Sequence, residues 1–188
     1  MPPKARISKE QIIDKAVDLI RKEKTLTAST LSKELKCSTQ PIFWYFNNME
    51  EVKSETLKQA HKNFSDFLRV PIEGISSYKS TGIRYIQFAR NEKGLFKLLF
   101  MSERSKDENI FVDDSNIHFL TNLICKTEFV DKSKADEIYK IMWLFCHGIA
   151  TMIATKTVEI NDSEVEYMLE TVCKGIIGGN RNETIIKR

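Results

Sequence analysis

Ser38, Thr39 and Gln40 put three hydrogen-bonding side chains in a row just ahead of Pro41, and Phe43, Trp44 and Tyr45 then stand as consecutive aromatics between Ile42 and Phe46. Hydroxyl and amide groups at the start of a helix can reach base edges in the major groove of DNA. Trp and Tyr bring flat rings with polar handles alongside phosphates. On a helix, Ile42 and Phe46 are four apart, share one face and belong to a core. The three aromatics between them cannot all share that face, so at least one is exposed and needs a partner. Thr27, Ser29, Thr30 and Asn47 sit at neighbouring helix ends, where phosphate oxygens are readily held.

The elements that must position these residues are legible from caps and spacing. Ser8-Lys9-Glu10-Gln11 is a capping box, and Ile12, Ile13, Ala16, Val17 and Ile20 follow at helical spacing, which predicts a helix from Lys9 to Glu23. Thr27 caps a second, short helix that ends near Leu35, with Leu26 and Leu31 as a hydrophobic staple. Ser38 is expected to cap a third, reaching Tyr45, with Cys37 and Ile42 as its staple and Pro41 in its first turn, where no N–H is needed. Asn47-Asn48 interrupts, and Asn48 caps a fourth helix to Leu68 whose first turn holds Glu50 and Glu51 on the positive end of the dipole. Val52, Thr56, Ala60, Phe64 and Phe67 mark its buried stripe. Two short helices joined through Lys36-Cys37-Ser38, between longer ones, form the tri-helical arrangement that offers its last short helix to a groove.

Beyond Pro71 the apolar residues keep a three-to-four spacing without alternating runs, so the remainder is expected to be helical as well. The predicted spans are Ile72 to Asn91, Gly94 to Met101, Glu108 to Lys126, Ser133 to Val158 and Asp162 to Ile177, with a polar tail fraying after Gly178-Gly179. The last two helices are long and apolar, a packing pair that buries surface against something. The fold class is therefore all-α, divided into a helix-turn-helix domain over residues 1–48, a connecting helix over 49–70 and a helical domain over 71–188.

Charge is uneven. Residues 1–62 hold twelve Lys and Arg against eight Asp and Glu, while the rest hold seventeen against eighteen, so the basic excess lies at the N-terminal end, as a phosphate-facing surface requires. The four cysteines, Cys37, Cys125, Cys146 and Cys173, form no CxxC pair and have no nearby His, which predicts reduced thiols and no metal site. His61, His118 and His147 are the only histidines, and none sits in a motif with a nucleophile or metal partner, so no catalytic residues are expected and an enzyme is the weaker class of function. Met1 to Arg6 is polar and basic, and no apolar run approaches the roughly 18 residues of a membrane span. A cytoplasmic, nucleoid-associated protein without a membrane partner is expected.

Leu26-Thr27 through Leu31 and Leu35, then Ser38-Thr39-Gln40-Pro41-Ile42-Phe43-Trp44-Tyr45-Phe46 and a capped acidic helix start, resemble the N-terminal domain of the TetR family of bacterial repressors. The resemblance covers roughly residues 8–60. It implies that Thr39 and Gln40 face bases and that Phe43, Trp44 and Tyr45 straddle the backbone of double-stranded DNA. Three residues depart from the family pattern: Lys36 stands where Gly is usual, Phe43 for a groove-facing Tyr, and Tyr45 for a His. A basic residue that often opens the fourth helix is Met49 here, with Lys53 one turn on as its substitute.

The resemblance further implies a homodimer through the last two long helices, a palindromic operator, and release by a small-molecule effector. No cofactor is implied. Weaker matches to the family's regulatory domain are Tyr85-Ile86-Gln87-Phe88-Ala89, the segment Gly94 to Phe100, and Trp143 to Gly148. Tyr85, Phe88, Phe96, Phe100, Phe119, Trp143 and His147 are the candidates to line an apolar pocket for a small apolar or aromatic ligand. Aromatics at helical spacing serve equally as plain core, and Gly148 within a long helix points either to a close helix approach or to a ligand. The alternative reading is a DNA-binding dimer controlled by a protein partner, or by nothing, without an effector.

Overall fold

The computed structural model describes residues 7–102 and 116–186. Every regular element among the described residues is a helix: α1 Lys9–Arg21, α2 Ala28–Glu34, α3 Gln40–Phe43, α4 Met49–Leu68, α5 Ser77–Asn91, α6 Lys93–Phe100, α7 Ile117–Glu128, α8 Lys132–Ala154 and α9 Asp162–Ile186. The chain divides into two compact units, Met1–Phe64 with Glu92–Ser102, and Ser65–Asn91 with Glu103–Arg188.

The first unit is built on the cap signals of the sequence. The Ser8 capping box closes on Gln11, and Thr27 caps α2 by accepting from the Thr30 amide. Asn48 accepts from the Glu51 amide at 2.9 Å, while Glu51 reaches back to the Asn47 amide at 2.8 Å. Ile12, Ala16, Leu31, Ile42, Phe46, Val52, Ala60 and Phe64 are buried. Each of the larger of these side chains contributes up to about 1.5–3 kcal/mol of transfer free energy.

The helix α6, predicted within the 71–188 segment, packs on α1 in this first unit. It buries Leu95, Phe96 and Leu99, and Phe100 meets Phe64 edge-on at 5.0 Å between centroids. Gly94 makes that approach feasible, since a Cβ there would lie 1.9 Å from the Ile20 carbonyl oxygen. Arg21 bonds Glu92 at 2.7 Å, and Lys97 pairs with Glu23.

In the second unit α5 packs on α8, with α7 and α9 against both. Ile83, Ile86 and Phe88 of α5, Ile138, Met142 and Ile149 of α8 and Leu169 of α9 are buried in this unit. Gly82 lets α9 come close, as a Cβ there would sit 3.3 Å from Leu169 Cδ1.

Several boundaries differ from expectation. α3 starts at Gln40, one residue later than expected, with Thr39 at the cap position and no side-chain cap bond, so the cap expected of Ser38 is not made. Only Gln40–Phe43 is α-helical, and a turn continues through Tyr45. α5 begins five residues after the expected Ile72, because Gly74 at φ +76° breaks the backbone and Ser76 then accepts from the Lys79 amide at 3.4 Å. α8 stops at Ala154, where the Thr157 amide bonds the Met152 carbonyl and Lys156 turns left-handed at φ +59°. α9 continues through Gly178-Gly179 to Ile186 in place of a frayed tail. The two glycines lower helix propensity by about 1 kcal/mol each but bring no competing cap. Residues 108–115 of the predicted Glu108 to Lys126 helix, and Met1 to Arg6, lie outside the described residues.

Candidate nucleic-acid interface

The loop from α2 into α3 is set by backbone bonds. The Lys36 amide bonds the Lys33 carbonyl at 3.1 Å and the Cys37 amide bonds the Ser32 carbonyl at 3.0 Å, with Lys36 at φ +54°. This is a Schellman turn with lysine at the left-handed position that glycine usually fills. It ends α2 abruptly and delivers Ser38, Thr39 and Gln40 to the surface, all exposed.

Ile42 and Phe46 fix α3 to the unit at 0% and 2% exposure, and the Lys9 ammonium lies 5.2 Å from the Phe46 ring centroid. Phe43, Trp44 and Tyr45 are 45%, 57% and 38% exposed. One face of a short segment is thus core while three successive rings and three polar side chains face outward. Such a surface is suited to stacking and hydrogen bonding rather than to self-burial.

The flanking residues are already engaged. Thr27 and Ser29 are exposed at the start of α2, and the Thr27 hydroxyl lies 3.0 Å from that of Thr30. The Asn47 amide donates to Glu51 at 3.0 Å, and Lys53 pairs with Glu50 at 2.7 Å. Exposed pairs of this kind contribute about 0–1 kcal/mol, so the Lys53–Glu50 pair is held only weakly.

The residues proposed for a pocket divide between the units. Phe96 and Phe100 belong to the first, their rings 5.1 Å apart. In the second, the Tyr85 hydroxyl lies 3.0 Å from His147 Nδ1, and the Thr151 hydroxyl 3.5 Å from Nε2. The Trp143 and His147 rings stack at 4.7 Å and 10°, and Tyr85 meets Trp143 edge-on at 6.4 Å. Burial holds the His147 pKa below its ordinary value. Phe88 is buried and meets Phe67 at 5.7 Å, and Phe119 carries the Arg69 guanidinium 4.9 Å from its centroid. Thr151 was missed from sequence, although its place four residues after His147 on α8 is the spacing that brings side chains together.

Burial pushes the Cys146 thiol up to about 12 and that of Cys173 to about 11, the opposite of an activated nucleophile. Among the described residues no group of three or more His, Cys, Asp or Glu gathers as a metal site would, and no helix is long and apolar enough to cross a membrane.

The described residues, with a turn-linked pair of short helices in one unit and a bundle of longer helices in the other, have a helix-turn-helix architecture. More narrowly, the fold is that of a TetR-like protein. The chain is similar to a crystal structure described as a TetR-like transcriptional regulator from Rhodococcus sp. RHA1, with a TM-score of 0.67 over 95% of this chain and 99% of that one, at 16% identity. No family model matches the sequence, and no curated protein does.

Proposed function

We propose that the chain is a DNA-binding transcriptional regulator that acts as a repressor, binding a palindromic operator as a homodimer and released by a small apolar or aromatic effector. The observation that carries this reading is the exposure of Thr39, Gln40, Phe43, Trp44 and Tyr45 on a segment anchored by buried Ile42 and Phe46. In a dimer two such segments would stand about 34–36 Å apart, one turn of duplex.

Support for a dimer comes from α8. Ile141, Leu144 and Met152 are exposed at helical spacing, and Gly148 among them has nothing of this chain within 4 Å of a Cβ position. An apolar stripe with a small residue at its centre suits close packing against a second helix. The helix α4 supplies Val52 and Ala60 to one core and Leu68 to the other, which makes it the element through which an effector would alter half-site spacing. The role is binding rather than catalysis, in the cytoplasm with the nucleoid.

A second reading, a DNA-binding dimer without an effector, is favoured by one observation. Both ring nitrogens of His147 have hydroxyl neighbours and its face is stacked on Trp143, so this group packs on itself.

A gel-shift series on the DNA upstream of the protein's own gene tests the central claim. A shift that weakens steeply with salt and requires a palindrome is expected; no such shift sinks it.

A further inference from the structure

Several cations of the first unit are neutralised within it. Lys15 and Arg21 pair with Asp18, Lys24 with Glu34, Lys53 with Glu50, Lys58 with Glu55 and Lys97 with Glu23. Lys33 and Lys36 are exposed and in no ion pair among the described residues. Their backbones are joined by the 3.1 Å bond of the turn, so both residues belong to the segment that leads directly into Ser38-Thr39-Gln40.

The two lysines differ in what holds them there. Lys33 lies in the last turn of α2, where a cation complements the helix dipole. Lys36 lies past the helix end at φ +54°, a conformation that glycine adopts without strain and lysine does not. The backbone alone does not single it out, since Glu23 and Lys156 adopt the same conformation. What sets Lys36 apart is its place beside the exposed polar residues of α3.

Resting on the reading of this segment as a DNA-binding surface, we propose that Lys36 is a phosphate-contacting residue: its ammonium, seconded by Lys33, engages the DNA backbone flanking the groove that α3 enters. It would supply a backbone contact in addition to any made by Lys53. A lysine suits this task because its ammonium is a compact charge on a flexible stem and needs no fixed fork geometry. The contact carries no sequence information and serves to fix register.

The test uses the full chain and a random-sequence 30-base-pair duplex, with affinity measured across a salt series. Each phosphate contact contributes about −0.9 to the slope of log K against log salt. A homodimer presents two copies of Lys36, so Lys36→Gly is expected to make the slope shallower by about twice that amount, and its deficit against the unaltered protein shrinks roughly 12-fold between 50 and 200 mM salt. The same variant is expected to raise the Tm, because it relieves the left-handed lysine, so lost binding cannot be mistaken for lost fold. Lys36→Arg keeps the slope. Lys156→Gly, with the same change of residue and the same backbone relief at the end of α8, raises the Tm and leaves the slope alone. A Lys36→Gly protein with an unaltered slope, or one no shallower than Lys156→Gly, overturns the assignment while leaving DNA binding intact. Absence of any salt-sensitive binding by the unaltered chain overturns both.

Discussion

The Tyr85 hydroxyl lies 3.0 Å from His147 Nδ1, joining α5 to α8 across the interior of the second unit. The imidazole is partly buried, and desolvation lowers its pKa from the ordinary 6.5. The unfolded chain therefore takes up a proton at a pH where the folded chain does not, and stability falls as pH drops through about 6.5 towards the folded value. Replacing His147 with Gln is expected to flatten the Tm profile between about pH 7 and pH 5, and an unchanged profile would show that another group sets it. Tyr85→Phe, which removes the hydroxyl partner, is expected to cost about 1 kcal/mol in chemical denaturation at neutral pH.

Gly94 carries a steric requirement that no neighbouring side chain can relieve, because the atom opposing a Cβ at 1.9 Å is the backbone oxygen of Ile20. Gly94→Ala is expected to destabilise the protein by at least about 2–3 kcal/mol, in the range of severe overpacking, read as a lower denaturation midpoint. Gly148→Ala, with nothing of this chain within 4 Å, is the comparison and is expected to be neutral or stabilising in the isolated chain.

Trp44 and Phe46 are two residues apart and opposite in role. Trp44→Ala is expected to leave the Tm within about 0.5 kcal/mol equivalent of the unaltered protein, as surface changes do, while reducing DNA affinity. Phe46→Ala opens the core and is expected to cost about 3–5 kcal/mol. Calorimetry beside a gel shift separates the two, and a large stability loss for Trp44→Ala would return that ring to the core.

The left-handed residues Glu23 and Lys156 each occupy a helix-ending turn suited to glycine. Lys156→Gly is expected to add about 0.5–1 kcal/mol of stability. Glu23→Gly should gain less, since it also removes the Lys97 ion pair. Thermal unfolding of the two single variants checks the order.

How far the sequence foretold this molecule depends on the kind of signal. Ser8, Thr27 and Asn48 act locally, and each caps the helix expected of it. The division of Ile42 and Phe46 from Phe43, Trp44 and Tyr45 was also legible, because helical geometry alone forbids five successive large side chains from sharing one face. The helix end at Thr155 was less so than those near Lys22 and Leu35, for the chain stops it with a non-glycine residue in a left-handed turn and the usual stop signal is missing. Ser38 looked like a cap, but α3 starts at Gln40 without any side-chain cap bond, which residue types alone do not foretell. The place of α6 was hidden for another reason. Its packing on α1 depends on a contact between Gly94 and Ile20, far apart in sequence, and no periodicity announces which partner a helix will choose.

That placement bears on how the protein is made. The unit holding the exposed aromatics is completed by Leu95, Phe96 and Leu99, which the ribosome adds only after all of Ser65–Asn91. Until then α1 has no partner for the face that receives Gly94, and the nascent unit holds uncovered apolar surface for the several seconds that about 30 residues take to synthesise at 5–20 residues per second. A chain cut after α4 would carry the exposed aromatics without the helix that closes their unit's core, so this unit is discontinuous in sequence although compact in space.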